Sequence, residues 1–212
     1  MRPAAGQLLA FGFEDGEKLP LTLAIENLAR IVQATDLPVS IDLESGYSSD
    51  ADGIARSIEQ AIAAGAVGCN MEDSAPGNGP LRSIAEQTAR FSFARAAAQS
   101  AGFDFFINAR CDVFLQAPVE THTLALLELA IERGHAYAKA GASGLFLPGL
   151  QDLALIEKAV QRLPLPVNIM LGTGTATRQQ LADIGASRIS HGPGPYALTM
   201  QHFKDAAASA LR

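Results

Sequence analysis

The chain has 212 residues, 48% of them apolar, with no Trp and a formal net charge of −6. That length can bury a sizeable core, and the acidic balance argues against nucleic acid or an anionic membrane surface as partner, because both select basic patches. Cys69 and Cys111 are too few for a disulfide framework, and no apolar run reaches signal-peptide or membrane-spanning length, so the expectation is a cytoplasmic globular protein.

Short apolar runs alternate with longer Ala-rich amphipathic segments. A helix is expected near 19–34, then a strand in "PVSIDLE" (38–44) and a helix over roughly 50–64. "AVGCNMED" (66–73) reads as the next strand, with a Gly/Pro-rich loop to about 83 and a helix near 84–101. "FDFFINAR" (103–110), "SGLFLPG" (143–149), "LPVNIML" (165–171) and "SRISHG" (187–192) read as further strands. Helices near 119–140, 151–162 and 177–184 separate them, and a terminal helix follows. Several helices stop at Ala64-Gly65, Ala140-Gly141 and Ile184-Gly185, where Gly can take the left-handed C-cap conformation. Repeated βα units imply a parallel sheet covered by helices. With no linker or shift of composition, residues 1–212 are expected to form one domain, either an open sheet or a (β/α)8 barrel lacking its first units.

Side chains alternate across a strand. Ser40, Asp42 and Glu44 therefore share a face, as do Asn70 and Glu72, and Phe106, Asn108 and Arg110. The opposite rows are apolar and suit helices. In a barrel the polar rows point inward, and an active site is built at the C-terminal rim. There Asp42, Glu44 and Glu72 would converge, and like charges raise one another's pKa unless a cation is present. Mg2+ prefers oxygen ligands, keeps several waters and uses one or two carboxylates directly. Solvated strand-end charges or helix N-caps are the alternative reading of the same acids.

"PVSIDLESGY", "GCNMEDS", "FFINARCDVFL", "GASGLFLPG", "LPVNIML" and "ISHGPGPY", in that order, resemble the isocitrate lyase/phosphoenolpyruvate mutase superfamily from about residue 4 to the end. The resemblance implies a (β/α)8 TIM barrel, often with its last helix exchanged between subunits in a dimer or tetramer. It also implies Mg2+ (with Mn2+ as a substitute) and a small carboxylate substrate. Carried over by residue, Asp42 and Glu44 match the metal-site pair and Glu72 the third acid. Asp15 matches an acid that reaches the metal through water, and Arg110 the arginine that holds a substrate carboxylate or phosphonate. An Arg fork suits that role, although a buried ion pair with Glu72 fits the same position. The implied chemistry is stabilisation of an enolate, with Asp42, Glu72 and Arg110 as the catalytic set.

Two departures stand out. Isocitrate and methylisocitrate lyases carry a Lys-Lys/Arg-Cys-Gly-His loop after the third acid, and phosphonopyruvate enzymes carry a Lys…Asn-Ser pattern. The loop here is "SAPGNGPLRS" (74–83), with no Cys, His or Lys; Asn78, Arg82 and Ser83 are its polar residues. Such a loop still suits a lid. Relatives also begin with about two further strands, so the chain is expected to be a barrel truncated at its N-terminus, with two strand edges to cover. Where relatives show Ser-x-Gly, backbone N–H groups around Gly6 could cradle a carboxylate.

Tyr47 is expected to wall the pocket and Asn168 to contact substrate, while His191 is a candidate acid or base and Cys111 a packed thiol pointing away from Arg110. "LGTGTAT" (171–177) is a weak phosphate-loop signal, and His122, His135 and His202 are expected on the surface. The expected function is a Mg2+-dependent lyase cleaving a C–C bond in a small 2-oxo or 2-hydroxy carboxylate. Its rivals are C–P chemistry on phosphonopyruvate and a catalytically silent carboxylate-binding barrel.

Overall fold

The computed structural model describes residues 12–14, 16–77, 79–172 and 176–211. Among them, helices and strands alternate as the sequence pattern predicts. The order is α1 (Leu21–Gln33), β1 (Ser40–Asp42), α2 (Ala51–Ala63), β2 (Gly68–Glu72), α3 (Ile84–Ser100), β3 (Phe106–Arg110), α4 (Leu124–Lys139), β4 (Gly144–Leu147), α5 (Leu153–Arg162), β5 (Val167–Met170), α6 (Arg178–Asp183), β6 (Arg188–Ser190) and α7 (Gly194–Ala210). The expected helix near 119–140 divides into a 3-10 turn at Val119–Thr121 and α4. Thr123 separates them because its side chain accepts the Leu126 N–H as an N-cap. Asp50, Ser83, Asp152 and Thr177 cap α2, α3, α5 and α6 in the same way. At the other end of α2, Gly65 takes φ +94°, and a Cβ there would lie 2.8 Å from Val32 Cγ1.

All five strand pairings are parallel, and the six strands lie in sequence order. The sheet curls: the Arg188 guanidinium on β6 donates to Ser40 Oγ on β1 at 3.2 Å, although four strands stand between them. No backbone pairing joins β1 to β6 among the described residues, so the architecture is a partial barrel rather than a closed eight-stranded one.

One row of each strand feeds the core. Ile41, Cys69, Met71, Ile107, Ala109, Leu145, Leu147, Val167 and Ile169 pack against Ile54, Ile58, Phe91, Leu127 and Ile156 of the helices, all buried. The Phe91 and Tyr137 rings tie α3 to α4 edge to face at 4.9 Å. The other row lines the concave side, where Asn108 Nδ2 donates to Asn70 Oδ1 at 2.6 Å and Asn168 exchanges hydrogen bonds with Ser190. The alternation thus sorts apolar residues outward to the helices and polar residues inward. No described helix is long and apolar enough to cross a membrane. Helix α7 differs from the rest: it has no buried residue, and Leu198 and Phe203 are 66% and 67% exposed.

Candidate functional site

The site is built where β1, β2 and β3 end. Glu72 and Arg110 close their strands in register with one another, and both are almost fully buried. Arg110 Nη1 meets Glu72 Oε2 at 2.8 Å. The rest of the guanidinium is held by Asp112, with Nε donating to Oδ1 at 2.6 Å and Nη2 to Oδ2 at 3.1 Å. Asp112 follows Arg110 by two residues, in the turn just past β3, and its carboxylate faces the guanidinium from there. The ion pair with Glu72, one of the two readings of Arg110 open from sequence, is therefore present.

Behind the fork lies a further buried carboxylate. Asp73 Oδ1 accepts the Asp112 backbone N–H at 2.8 Å. Its Oδ2 accepts the Tyr137 hydroxyl at 2.8 Å and Arg133 Nη1 at 3.2 Å. Ser74 Oγ donates to Asp112 Oδ2 at 2.7 Å. Desolvation pushes the Asp73 carboxyl above its usual range, against the pull of the Asp112 N–H and the Tyr137 hydroxyl. Burial opposes the charge of Arg110, but Asp112, then Glu72 and Asp42, outweigh it and hold the guanidinium protonated. The sequence reading did not single out Asp73, Ser74, Asp112, Arg133 or Tyr137. Only Asp112 carried a local signal, its position two residues after Arg110.

Asp42 ends β1, half-buried and opposite Asn70, and its Oδ1 accepts the Glu44 N–H at 2.9 Å. Strand geometry stops there, because Glu44 takes φ +49°. Its side chain is thus placed by a turn and not by strand alternation, which corrects the expected run of same-face acids. Glu44 Oε2 accepts the backbone N–H groups of Gly16 at 2.9 Å and Glu17 at 2.6 Å. Tyr47 donates its hydroxyl to Glu44 Oε1 at 3.3 Å. Burial and then the charge of Glu44 push the phenol well above its ordinary range, so it stays protonated.

Asp42, Glu44 and Glu72 therefore stand at one end of the sheet, yet no three His, Cys, Asp or Glu side chains among the described residues form a ready metal cluster. The donor set is all oxygen, and Asp42 is the most open of the three acids, which fits an ion that takes few carboxylates and keeps its waters. Asp15 and Gly6 lie outside the described residues, as do Asn78 and residues 173–175 of the expected phosphate loop.

The loop over 74–83 is pinned at its base. Ser74 and Leu81 form an antiparallel bridge, the Ala75 N–H donates to Pro80 O at 2.9 Å, and Gln116 Nε2 donates to Gly79 O at 2.8 Å. Arg82 reaches back from it to Ser45 Oγ at 3.3 Å, while Ser83 serves as the cap of α3. A cavity of about 310 Å3 is lined by Leu81, Ile84, Val113 and Leu126, and Asp42, Glu44 and Glu72 are not among its lining residues. His191 lines a hollow of about 250 Å3 with Met170 and Gly172 at the ends of β5 and β6. Asn168, expected near a strand end, is the second residue of β5 and is engaged with Ser190. Both thiols are buried, and desolvation pushes them far up, so neither is a nucleophile at neutral pH. His135 and His202 are exposed as expected, whereas His122 is half-buried against Phe114, its Nε2 3.0 Å from the Phe114 carbonyl oxygen.

Known proteins resemble this chain in sequence and fold. The phosphoenolpyruvate phosphomutase family profile matches residues 4–211. A candidate phosphonomutase from Burkholderia cenocepacia J2315 is 48% identical, with a TM-score of 0.95 over 98% of this chain and 82% of that one. The 2-methylisocitrate lyase of Escherichia coli (strain K12) is 30% identical across 77% of this chain and 53% of its own length. An oxaloacetate decarboxylase of Rhodopseudomonas palustris (strain BisB18) is 29% identical across 77% of this chain and 55% of its own. The chain thus spans about half the length of these two curated relatives. With 208 matched residues (4–211) and the strand-end motifs in order, the chain belongs to the phosphoenolpyruvate phosphomutase family.

Proposed function

We propose that the protein is a Mg2+-dependent lyase that breaks a C–C bond beside the carboxylate of a small 2-oxo or 2-hydroxy acid, oxaloacetate in the first instance. The observation that carries this reading is the Glu72–Arg110 pair at the ends of adjacent strands, with the Asp42 charge close enough to act on Arg110. Asp42 and Glu72 would hold the metal, with Glu44 and Asp15 supporting it. When bound there, Mg2+ supplies a Lewis acid that polarises a 2-oxo group and accommodates the charge of an enolate. Arg110 would anchor the substrate carboxylate through the guanidinium N–H bonds that its two acids leave over, and it stays cationic throughout. Tyr47, protonated, would wall the pocket, Asn168 would face the substrate from β5, and backbone N–H groups around Gly6 would add donors. The loop over 74–83 offers no Cys or His as acid or base. Decarboxylation suits such a site, because it needs enolate stabilisation more than a dedicated proton donor.

The test is product NMR with oxaloacetate, 2-methylisocitrate, isocitrate and phosphonopyruvate, each with Mg2+, Mn2+ or EDTA. Pyruvate from oxaloacetate is expected, abolished by EDTA and reduced at least about 10²-fold in Asp42→Ala. Turnover that survives EDTA would sink the metal role. The 48% identity to a candidate phosphonomutase favours a second reading, C–P chemistry, which phosphate release from phosphonopyruvate would support. Mg2+ and oxalate binding without any turnover would point to a silent carboxylate-binding barrel.

Helix α7, which has no fully buried residue and exposes Leu198 and Phe203, further supports a homo-oligomer in which this helix lies against a second copy. Light scattering is expected to give a dimer or tetramer, and a Leu198→Asp/Phe203→Asp variant a monomer. A monomeric wild-type protein would overturn it.

A further inference from the structure

Among the described residues, the non-glycine residues with left-handed backbone are Glu17, Glu44 and Tyr47, at φ +61°, +49° and +58°. Each such conformation is costly for a residue with a Cβ and persists only where the surroundings over-determine it. These three hold one another. The Glu17 N–H donates to Glu44 Oε2 at 2.6 Å, while Glu17 Oε1 accepts the Tyr47 N–H and the Ser45 hydroxyl, both at 2.7 Å. The Tyr47 hydroxyl returns to Glu44 Oε1 at 3.3 Å. Two further groups brace the turn from outside: Arg90 donates to the carbonyls of Ser45 and Ser48, and Arg82 to Ser45 Oγ.

We propose that Glu17 is a positioning residue, whose carboxylate clasps the turn after β1 and thereby sets the Glu44 carboxylate and the Tyr47 phenol at the acid-rich end of the sheet. The proposal rests on the lyase reading for its catalytic consequence, but the clasp itself does not. The Glu17 N–H bonds Glu44 Oε2 itself, a bond that side-chain replacement leaves in place; the part of Glu17 at issue is its carboxylate. It acts through the backbone of residues 45–47, whose left-handed members would relax to ordinary conformations once the two hydrogen bonds were gone. Gln at this position keeps a carbonyl oxygen that can accept both bonds, whereas Ala keeps none.

The experiment compares Glu17→Ala and Glu17→Gln with the wild-type protein by three readouts: amide hydrogen exchange at Tyr47 without metal, calorimetric titration with Mg2+ alone, and kcat and KM on the substrate found by product NMR. Glu17→Ala is expected to lose protection at the Tyr47 amide, to weaken Mg2+ binding by about tenfold or more, and to lower kcat/KM by about 10- to 100-fold. Glu17→Gln is expected to restore all three close to wild type. Lost protection with unchanged Mg2+ binding and turnover would reduce the clasp to a structural brace and overturn the proposal. So would a Glu17→Gln protein as impaired as Glu17→Ala, since charge and not the clasp would then be responsible. If the wild-type protein turns over no substrate, the lyase reading fails, and the Mg2+ titration still decides the positioning role.

Discussion

Replacing Arg110 by Lys is expected to lower kcat/KM by roughly 10- to 100-fold, because one charge-assisted hydrogen bond of about 1.5–3 kcal/mol loses its donor. The guanidinium spans two strand ends: Nη1 meets Glu72, while Nε and Nη2 meet the two oxygens of Asp112. A lysine ammonium is a point charge on a flexible stem and cannot satisfy both carboxylates in that geometry. Positive charge would survive, but its direction would not. If the fork positions a substrate carboxylate, the loss should fall on kcat and KM together, and Arg110→Ala should be worse than Arg110→Lys. Steady-state kinetics beside a thermal melt would read both. Unchanged kcat/KM in a folded Arg110→Lys protein would remove Arg110 from the substrate site.

Asp112→Ala is expected to destabilise the fold by about 3–5 kcal/mol, the usual consequence of removing one partner from a buried ion pair. For a chain of this size that corresponds to a melting temperature lower by roughly 6–20 °C. Asp112 is fully buried, and besides the Arg110 fork it accepts the Ser74 hydroxyl. Its removal would take from the buried guanidinium the carboxylate that accepts two of its hydrogen bonds, and strand the Ser74 hydrogen. Asp112→Asn keeps the shape and one acceptor, so its loss should be smaller. Calorimetric melts of the two variants check the ranking. Equal and negligible losses would mean that the Asp112–Arg110 pair contributes little to the fold.

These two residues mark the boundary of what local pattern reveals. Arg110 was visible because "FINAR" alternates and ends a strand, and because its motif resembles a known substrate-binding arginine. Asp112 lies two positions further on, past the end of β3, so its nearness in sequence and not alternation is the signal. Asp73 carried no comparable signal, since the groups that converge on it come from 39, 60 and 64 residues away. Glu17 is similar: its partners Ser45 and Tyr47 are 28 and 30 residues distant. The expected row of acids at 42 and 44 failed for a conformational reason, the left-handed Glu44, which alternation assumes away.

The sequence alone therefore determined the order of helices and strands, the outward apolar and inward polar rows, the glycine stops of three helices and the family, because each follows from short-range periodicity or from ordered motifs. Only the tertiary structure decided how the sheet curls to bring Arg188 to Ser40, which acids clasp Arg110, and why Glu44 faces Gly16 and Glu17. Those contacts join segments far apart in the chain. Their geometry is set by strand register and by one turn's backbone, neither of which residue spacing encodes.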